Sequence, residues 1–317
     1  MKMRNKTLPQ VTVAGPFQNG KSTLINCLLD DQYAPMGKGL RTTACCSYFL
    51  YGEAEVATLV HDGDEAKREV LERREKIFEP TFSCTGKDYL EITCWKPLLR
   101  KVVLVDTPGF DANREDDEAA RNAVQNSDIV IFVHDTRQMD DSSRRILKTI
   151  QSEGKHLLFL MNCKTETNWH PDHDKNKQIA AVLESQLHEM GMDDSLLRID
   201  GRCVWPCNPV FAWFALGHLQ RDMDHKEEGI RKDAEDLIEK IQYFSKKQSK
   251  KDSSWTNRNQ KEQLLSASKI LEVRRCIENA AATIFTSISL NPGAEVRILT
   301  DKWAAQLQAM FRQIERK

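Results

Sequence analysis

The segment that most restricts the fold of this chain is the loop from Gly15 to Ser22, with the sequence GPFQNGKS. It fits the pattern G-x-x-x-x-G-K-[ST], follows a short apolar run at residues 11–14, and leads into an apolar helical pattern that continues to Leu29. In such loops the glycines let backbone N–H groups converge on phosphate oxygens, and the following helix adds partial positive charge at its N-terminus. The sequence therefore predicts a strand, a phosphate-binding loop and a helix, in that order.

Apolar runs of strand length alternate with helical patterns over the first two thirds of the chain. The runs that predict strands lie at residues 11–14, 45–51, 56–61, 89–95, 101–105, 129–134, 157–162 and 202–207. We expect runs 45–51 and 56–61 to pair with each other, and a charged helix over residues 65–77. Alternation of this kind is typical of a mostly parallel sheet covered by helices on both faces. We therefore predict a three-layer α/β domain over residues 1–225.

The remaining part of the chain, residues 226–317, shows helical patterns and no strand pattern. Helices are predicted at residues 230–244, 267–284 and 294–316. The stretch at residues 246–260 combines lysines with Asp, Ser, Asn and Gln, which favours an exposed linker or loop. We expect a helical C-terminal region with this polar linker in its middle.

Residues of the predicted phosphate loop have distinct expected roles. Lys21 is expected to reach the β- and γ-phosphates of a nucleoside triphosphate, and the Ser22 hydroxyl to complete the shell of a Mg²⁺ ion. The other predicted phosphate contacts come from Gly15, Asn19, Gly20 and Thr23.

A second phosphate element follows the apolar run at residues 101–105. It has the sequence Asp106-Thr107-Pro108-Gly109, in which Asp106 is expected to hold Mg²⁺ through water and Gly109 to offer its N–H to the γ-phosphate. Between the two elements, Thr43 lies in a loop that could close over the γ-phosphate and complete the metal shell. Thr42 is the alternative, and we choose Thr43 without a strong reason.

Recognition of the base is predicted at the end of run 157–162, where the sequence continues Cys163-Lys164-Thr165-Glu166. A guanine-binding loop of the N-K-x-D type places a Lys over the ring and a carboxylate on the guanine edge. Aligned on Lys164, this chain has Glu166 in place of the Asp, with the same two acceptor oxygens. If the motif is aligned on Asn162 instead, Cys and Thr occupy the positions of the Lys and the carboxylate, and both functional groups are lost. The remaining alternative is that this segment is a solvated, charged loop without a role in base recognition. Asn208, after the last strand, is a weaker candidate for base contact.

Composition restricts the kinds of partner that the protein is expected to bind and the cellular compartment in which it is expected to occur. The formal net charge is −1, from 46 basic and 47 acidic residues, so no global field attracts nucleic acid and we expect no nucleic-acid partner. No apolar run approaches the roughly 20 residues that span a bilayer, and the N-terminus lacks a secretory pattern. Nine scattered cysteines favour reduced thiols and a cytoplasmic location, and the Cys203–Cys207 spacing gives little support for zinc.

Taken together, these motifs resemble the GTPase domain of the bacterial dynamin-like proteins, in the translation-factor-related class of P-loop GTPases. The loop continues as Ser22-Thr23-Leu24-Ile25-Asn26, as in the family pattern, with Pro16 where a Glu is usual. The resemblance continues through the Arg41-Thr42-Thr43 segment, a long insertion, the DTPGF sequence ending at Phe110, and the run at residues 127–133. It covers roughly residues 9–215 and implies a GTP-binding protein that hydrolyses GTP to GDP and phosphate with Mg²⁺ and acts as a conformational switch.

Departures from related GTPases bear on catalysis. Position 17 is Phe, where eukaryotic dynamins place a catalytic Gln, and Phe110 follows Gly109, so no Gln is available there to orient water. Lys21, Thr43 and Gln18 are therefore the predicted catalytic residues, and backbone groups or a partner subunit are alternatives. Two alternatives to the switching GTPase stay open: a nucleotide-binding assembly module with little hydrolysis, and an ATPase.

The resemblance also implies GTP and GDP as ligands, and a homodimer or a related dynamin-like subunit across the nucleotide face. Dynamin-like proteins usually carry stalk helices and a membrane-binding tip. The residues after the last predicted strand leave no room for a full stalk, so the sequence offers no support for membrane contact.

Overall fold

A computed structural model of the chain describes most of its residues. The described residues are 8–34, 45–72, 77, 82, 84–110, 114–164, 169–224, 228–251, 255–256 and 259–290. Their strands are β1 (Gln10–Ala14), β2 (Cys46–Tyr51), β3 (Val56–Val60), β4 (Arg68–Val70), β5 (Tyr89–Cys94), β6 (Val103–Asp106), β7 (Ile129–His134), β8 (His156–Asn162) and β9 (Val204–Cys207). Their α-helices are α1 (Lys21–Leu29), α2 (Arg114–Gln125), α3 (Asp141–Ser152), α4 (Asp174–Glu189), α5 (Pro209–Ala215), α6 (His218–Asp222), α7 (Glu228–Ser249), α8 (Gln260–Ser268) and α9 (Ile270–Leu290).

All these strands form one sheet in the order β4-β3-β5-β2-β6-β1-β7-β8-β9. The half from β6 to β9 is parallel, whereas β2 runs antiparallel to β6 and β3 runs antiparallel to both β4 and β5. The predicted mostly parallel α/β sheet is therefore confirmed.

Strand alternation separates two apolar layers. On β7, Ile129, Ile131 and Val133 belong to one buried cluster, and Val130 and Phe132 belong to another on the opposite face. Successive side chains of a strand point to opposite faces, so a continuous apolar run fits a strand that is covered on both sides. The first cluster includes residues of α1, α5, α8 and α9, and the second includes residues of α2, α3 and α4. This is the predicted three-layer arrangement.

The prediction that runs 45–51 and 56–61 pair with each other is wrong. Strand β5 lies between them, parallel to β2 and antiparallel to β3. Sequence neighbours often pair as hairpins, but here the apolar run of β5 lies between the two strands and pairs with both. Ile92 and Cys94 are fully buried at that position.

The predicted charged helix over residues 65–77 is also wrong in its described part. Residues Arg68–Val70 form the edge strand β4, which pairs antiparallel with β3. The turn before it contains Asp62 in a left-handed conformation, with φ of 52°. Pairing with a preformed neighbour outweighs the weak helix preference of charged residues, and exposed charges are common on edge strands.

The helical C-terminal region differs from its prediction in two places. Helix α7 continues through Lys246 and Lys247 to Ser249, so the first part of the expected linker at residues 246–260 is helical. Lysines in a last turn interact favourably with the helix dipole. The single helix predicted at residues 267–284 is divided at Lys269, which has φ of 63°, into α8 and α9. The helix predicted at residues 294–316 lies outside the described residues.

Helices α7, α8 and α9 contribute to the same apolar cluster as the sheet, through residues such as Ile241, Leu264 and Ile277. The division of the chain at residue 225 stays a prediction. Among the described residues, no helix is long and apolar enough to cross a membrane.

Candidate functional site

Four loops meet at the carboxyl ends of the parallel strands. They follow β1, β6, β8 and β9, whose pairings place β6, β1, β7, β8 and β9 side by side. In open α/β sheets this edge is where ligands bind. The predicted phosphate loop, the second phosphate element, and Cys163 and Lys164 of the predicted base-recognition segment therefore lie together.

The phosphate loop passes close to the backbone of β7. Gly15 has φ of 144°, and a Cβ atom built on it would lie 2.3 Å from the carbonyl oxygen of Val133. Gly20, with φ of 89°, directly precedes α1, whose first-turn N–H groups point toward the loop. Both positions require glycine, because a Cβ atom at either would lie no more than 2.4 Å from another atom and both have a left-handed or related backbone conformation.

Lys21 folds over this loop. Its Nζ donates hydrogen bonds to the carbonyl oxygens of Gly15 and Pro16, at 3.1 and 3.0 Å. Burial lowers the pKa of Lys21 to about 8, an effect that Asp106 opposes and Lys164 reinforces. The ammonium group is therefore held in a low-dielectric loop, where an anion would be a strongly favourable neighbour.

Ser22 and Asp106 form the part of the site that fits a metal ion. The Ser22 hydroxyl donates to Asp106 Oδ2 at 2.8 Å, and the other oxygen, Oδ1, is buried without a hydrogen-bond partner among the described residues. Burial raises the pKa of Asp106 to about 6, although Lys21 and the Ser22 hydroxyl lower it. A carboxylate and a hydroxyl are the hard oxygen donors that Mg²⁺ prefers. The residues present therefore fit the predicted ion.

The second phosphate element contacts the first. Thr107 Oγ1 donates to Val13 O at 2.9 Å, and the Phe110 N–H donates to Gly15 O at 3.4 Å. A Cβ atom on Gly109 would lie 2.7 Å from the Cα of Phe17. Glycine at position 109 thus lets the two loops touch through their backbones.

Lys164 reaches the phosphate loop from the end of β8. Its Nζ donates to Gln18 O at 2.7 Å and to Asn19 Oδ1 at 3.4 Å, and it lies 3.8 Å from Asp135 Oδ2. Burial lowers the pKa of Lys164, whereas the charge of Asp135 raises it. The structure therefore brings Lys164 into the site, while Glu166 lies outside the described residues.

Asn162 is a site residue that the sequence reasoning missed. It is 3% exposed, and its Nδ2 donates to Asn19 O at 2.9 Å. The same nitrogen would lie 2.4 Å from a Cβ atom on Gly20. Alignment of the motif on Lys164 made Asn162 look like an ordinary strand residue. The available signal was a polar residue at the end of an otherwise apolar strand.

Asn208 is buried and acts within the protein. It caps α5 by accepting from Phe211 N at 3.3 Å, and its Nδ2 donates to the carbonyl oxygens of Cys163 and Trp169 at 3.0 and 2.9 Å. These bonds tie the residue after β9 to Cys163, which directly precedes Lys164, and to Trp169. Direct contact with a base stays a prediction.

The other predicted site residues are placed as follows. Gln18 is exposed at the outer side of the phosphate loop, with φ of 59°. Asn19 is fully buried, and its Nδ2 donates to Val133 O at 3.5 Å. Thr23 is partly buried in the first turn of α1. Thr42 and Thr43 lie outside the described residues.

The fold and this arrangement of loops define a P-loop GTPase-like domain. The comparisons agree: the sequence model of the dynamin family matches residues 11–163. The predicted resemblance to the GTPase domain of dynamin-like proteins is thereby confirmed. GTP binding and hydrolysis are accordingly the activity of the family that this domain matches.

Two curated relatives are similar to this chain over part of their length. Transmembrane GTPase Marf of Drosophila melanogaster is 27% identical over 172 residues, which cover 48% of this chain and 20% of that protein. Dynamin-like protein A of Bacillus subtilis (strain 168) is 22% identical over 234 residues, covering 72% of this chain and 19% of that protein. The chain therefore spans about one fifth of the length of these relatives.

Solved structures that are similar to this chain include an oligomerised bacterial dynamin pair, described as a mechanism for long-range sensing and tethering of membranes. It is 15% identical, with a TM-score of 0.45, and the match covers 76% of this chain and 37% of that one. Aquifex aeolicus Era bound to GDP and aluminium fluoride is also 15% identical. Its TM-score is 0.38, and the match covers 64% of this chain and 51% of Era.

Proposed function

We propose that this chain binds GTP together with Mg²⁺, hydrolyses it to GDP and phosphate, and changes conformation with the nucleotide state. The observation that carries the proposal is the convergence of Lys21, Ser22 and Asp106. The Lys21 ammonium group, the Ser22 hydroxyl and the buried Asp106 Oδ1, which has no hydrogen-bond partner among the described residues, lie beside the N-terminus of α1. This is the donor set that a metal-bound triphosphate requires.

Each residue has a definite role in the proposal. Lys21 leaves the carbonyl oxygens of Gly15 and Pro16 and donates to phosphate oxygens, while the backbone N–H groups of the loop bind the same phosphates. Ser22 and Asp106 hold the Mg²⁺ ion, which when bound supplies charge stabilisation for the phosphate oxygens. Thr43 is proposed to complete the metal shell, and Gly109 to donate its N–H to the γ-phosphate.

The attacking water must be oriented by groups other than a glutamine at position 17 or 110, where related GTPases have one. Phe17 and Phe110 carry no polar side-chain atom, and Phe110 is 2% exposed. We assign this task to Gln18, whose side chain is exposed beside the loop, with Thr43 and a partner subunit as alternatives. Catalysis in this class comes mainly from positioning and charge stabilisation, so low turnover by the isolated chain fits the proposal.

Selectivity for guanine is proposed to come from Lys164 and Glu166. The hydrogen bonds of Lys164 to Gln18 and Asn19 fix its stem across the loop, where a purine ring can pack. Glu166 then accepts from the two N–H groups of the guanine edge.

Phosphate release under multiple-turnover conditions tests hydrolysis. We expect the wild type with GTP and Mg²⁺ to exceed Lys21→Ala by tenfold or more, a rough figure for loss of a charged phosphate contact. Lys175→Ala, an exposed lysine on α4, is the matched control and should retain wild-type turnover. Equal phosphate release by the wild type and Lys21→Ala, at both low and high protein concentration, would contradict GTP hydrolysis. It would favour the alternative of a nucleotide-binding assembly module with little hydrolysis.

Competition binding between GTP and ATP tests the base assignment. We expect the wild type to prefer GTP, and Glu166→Ala to lose that preference while keeping its affinity for triphosphate. Equal affinity of the wild type for GTP and ATP would contradict the guanine assignment and favour an ATPase.

Two further proposals concern the surroundings of the protein. A homodimer, or a pair with a related subunit, is proposed across the nucleotide face, where Phe17 is 39% exposed. A cytoplasmic location is supported by the nine cysteines, seven of which are buried. Light scattering with and without GTP tests the first, and fractionation of cells tests the second.

A further inference from the structure

A cavity of about 300 Å³ lies between α2 and α3. It is lined by Phe110, Arg121, Val124, Arg145, Ile146, Lys148 and Thr149. None of these residues belongs to the nucleotide-contacting set proposed above. The volume is at the lower end of the range for sites that enclose small molecules.

The floor of the cavity is apolar. Phe110, Val124 and Ile146 are 2%, 1% and 6% exposed, and they belong to the cluster beneath α2 and α3. A planar or aliphatic group could displace water from this floor without leaving a buried polar atom unpaired. Burial of apolar area would then favour binding.

The rim of the cavity is cationic. Arg121, Arg145 and Lys148 are exposed, and the structure records no ion pair between any of them and another described residue. No acidic side chain is among the lining residues, although the first turn of α2 carries Glu115, Asp116 and Asp117. Three positive charges around an apolar floor are complementary to a molecule with an anionic head and an apolar body.

We propose that this cavity binds a small amphipathic anion. Its aromatic or aliphatic body packs on Phe110, Val124 and Ile146, and its carboxylate or phosphate head pairs with Arg121, Arg145 and Lys148. The site is separate from the nucleotide site, so binding to it does not depend on the proposed function.

Phe110, part of the floor of the cavity, is also connected to the phosphate loop. Phe110 forms an isolated parallel bridge with Pro16, and its N–H donates to Gly15 O at 3.4 Å. A ligand that packs on the Phe110 ring and on Val124 restrains Phe110 against the phosphate loop. Nucleotide affinity should therefore change when the cavity is filled, and by linkage the anion's affinity should change equally with nucleotide. This coupling rests on the proposed function, whereas binding itself does not.

Anilinonaphthalene sulfonate, an aromatic anion that fluoresces in apolar surroundings, probes the site directly. We expect saturable binding by the folded full-length chain and about tenfold weaker binding by Arg145→Glu, because a desolvated charge pair becomes a repulsion. Lys175→Glu, an exposed charge reversal on α4 outside the cavity, should bind as the wild type does. Equal loss in both variants, or loss in neither, overturns the proposal.

A second variant removes the space and keeps the charges. Thr149→Trp fills the cavity from its partly exposed side and should also abolish the Arg145-dependent signal. Thermal unfolding is recorded for each variant, and Arg145→Gln replaces Arg145→Glu if the reversal prevents folding. Undiminished binding by folded Thr149→Trp would place the dye elsewhere and overturn the proposal.

Displacement of the dye identifies the chemistry of the ligand. Naphthoate and naphthyl phosphate, which combine body and head, should displace it, and their ranking distinguishes a carboxylate from a phosphate ligand. Inorganic phosphate alone and uncharged naphthol should each displace it at least tenfold less well. Displacement by either of these two at the same concentration as naphthoate would contradict an amphipathic site.

The Lys21→Ala variant separates this site from the nucleotide site. Dye and naphthoate should bind to it as they bind to the wild type, even if GTP binding is lost or proves absent. Loss of dye binding in Lys21→Ala would assign the signal to the phosphate loop and overturn the proposal. Naphthoate binding with no change in GDP affinity would refute the coupling through Phe110.

Discussion

At the residue scale, Asn162 joins β8 to the phosphate loop through a single buried hydrogen bond, from its Nδ2 to Asn19 O at 2.9 Å. Lys164 approaches the neighbouring carbonyl of Gln18 from the same strand end. The loop conformation that would bind phosphate is therefore supported from β8 as well as from its own glycines.

We predict that Asn162→Ala weakens nucleotide binding by about tenfold and lowers the free energy of unfolding by about 1 kcal/mol, because Asn19 O loses its donor. Titration with a fluorescent GDP analogue and urea unfolding measure the two effects. Asn126→Ala is the matched control, since Asn126 Nδ2 also donates to a backbone carbonyl but is exposed. Nucleotide affinity unchanged in Asn162→Ala would contradict this support role.

Gly15 provides a second test at this scale. Its added Cβ would lie 2.3 Å from Val133 O, whereas at Gly154, with φ of 62°, no atom lies within 4 Å. We expect Gly15→Ala to lower the free energy of unfolding by about 3 kcal/mol or more, because rigid strand backbone must move. Gly154→Ala, which meets only backbone strain, should cost about 1 kcal/mol. Urea unfolding measures the free energy of unfolding of both variants. Equal decreases in the two variants would refute the close approach of Gly15 to Val133 O.

Residue-level prediction from sequence succeeded where chemistry is local. The loop around Lys21, its Ser22 and the Asp106 element were all identified from short motifs, and the structure brings Ser22 and Asp106 within 2.8 Å. Asn162 was missed because its partner, Asn19, is 143 positions away in sequence. No local pattern specifies which strand end meets the loop.

At the element scale, α9 tests whether the C-terminal helices share the core of the sheet domain. Ile277 is fully buried and belongs to the cluster that contains α1 and β1 residues, whereas Leu271, on the same helix, is 43% exposed. Lys101 also reaches across to Glu278, with Nζ 2.8 Å from Oε2.

We predict that Ile277→Ala lowers the free energy of unfolding by about 2–5 kcal/mol, and that Leu271→Ala changes it by less than about 1 kcal/mol. Circular dichroism follows the helices, and tryptophan fluorescence, to which the buried Trp205 and Trp213 contribute, reports also on the sheet and α5. A single transition by both probes, shifted equally by Ile277→Ala, is expected. Two separate transitions would mean that residues 226–290 unfold independently.

The sequence predicted most of the strands correctly, but it did not predict which strands pair with each other. The apolar run of β7 was identified at its observed bounds, Ile129–His134, because a strand covered on both faces must be apolar throughout. The pairing of β2 with β3 was wrong because hydrogen-bond partners depend on sheet order. Strand β4 was predicted as helix because Arg68 and Glu69 place a charged residue on each face, which removes the period-two signal.

At the scale of the whole molecule, the burial of the nine cysteines shows how far solvent can enter the described part of the chain. Cys84 and Cys276 are partly exposed, and the other seven are buried. Burial raises the pKa of Cys46 and Cys207 to about 12, so these thiols stay protonated at pH 8. The thiolate is the reactive form, so buried cysteines should react only after unfolding.

We predict that a thiol reagent at pH 8 labels at most two cysteines of the native protein in its fast phase, and all nine in urea. The Cys84→Ser/Cys276→Ser double variant should lose the fast phase, and a small thiol in the same buffer calibrates full reactivity. Three or more thiols labelled at the rate of the small thiol would show that the layered core is more open than described.

The sequence by itself determined the elements and the local chemistry of this protein. The phosphate loop follows from glycine conformations and a helix N-terminus, and the strands follow from unbroken apolar runs, both of which act over a few residues. Only the tertiary structure decided the order of the sheet, the contact of Asn162 and Lys164 with the loop, and the cationic cavity between α2 and α3. These depend on residues far apart in the chain, whose proximity is set by the burial of both sheet faces at once.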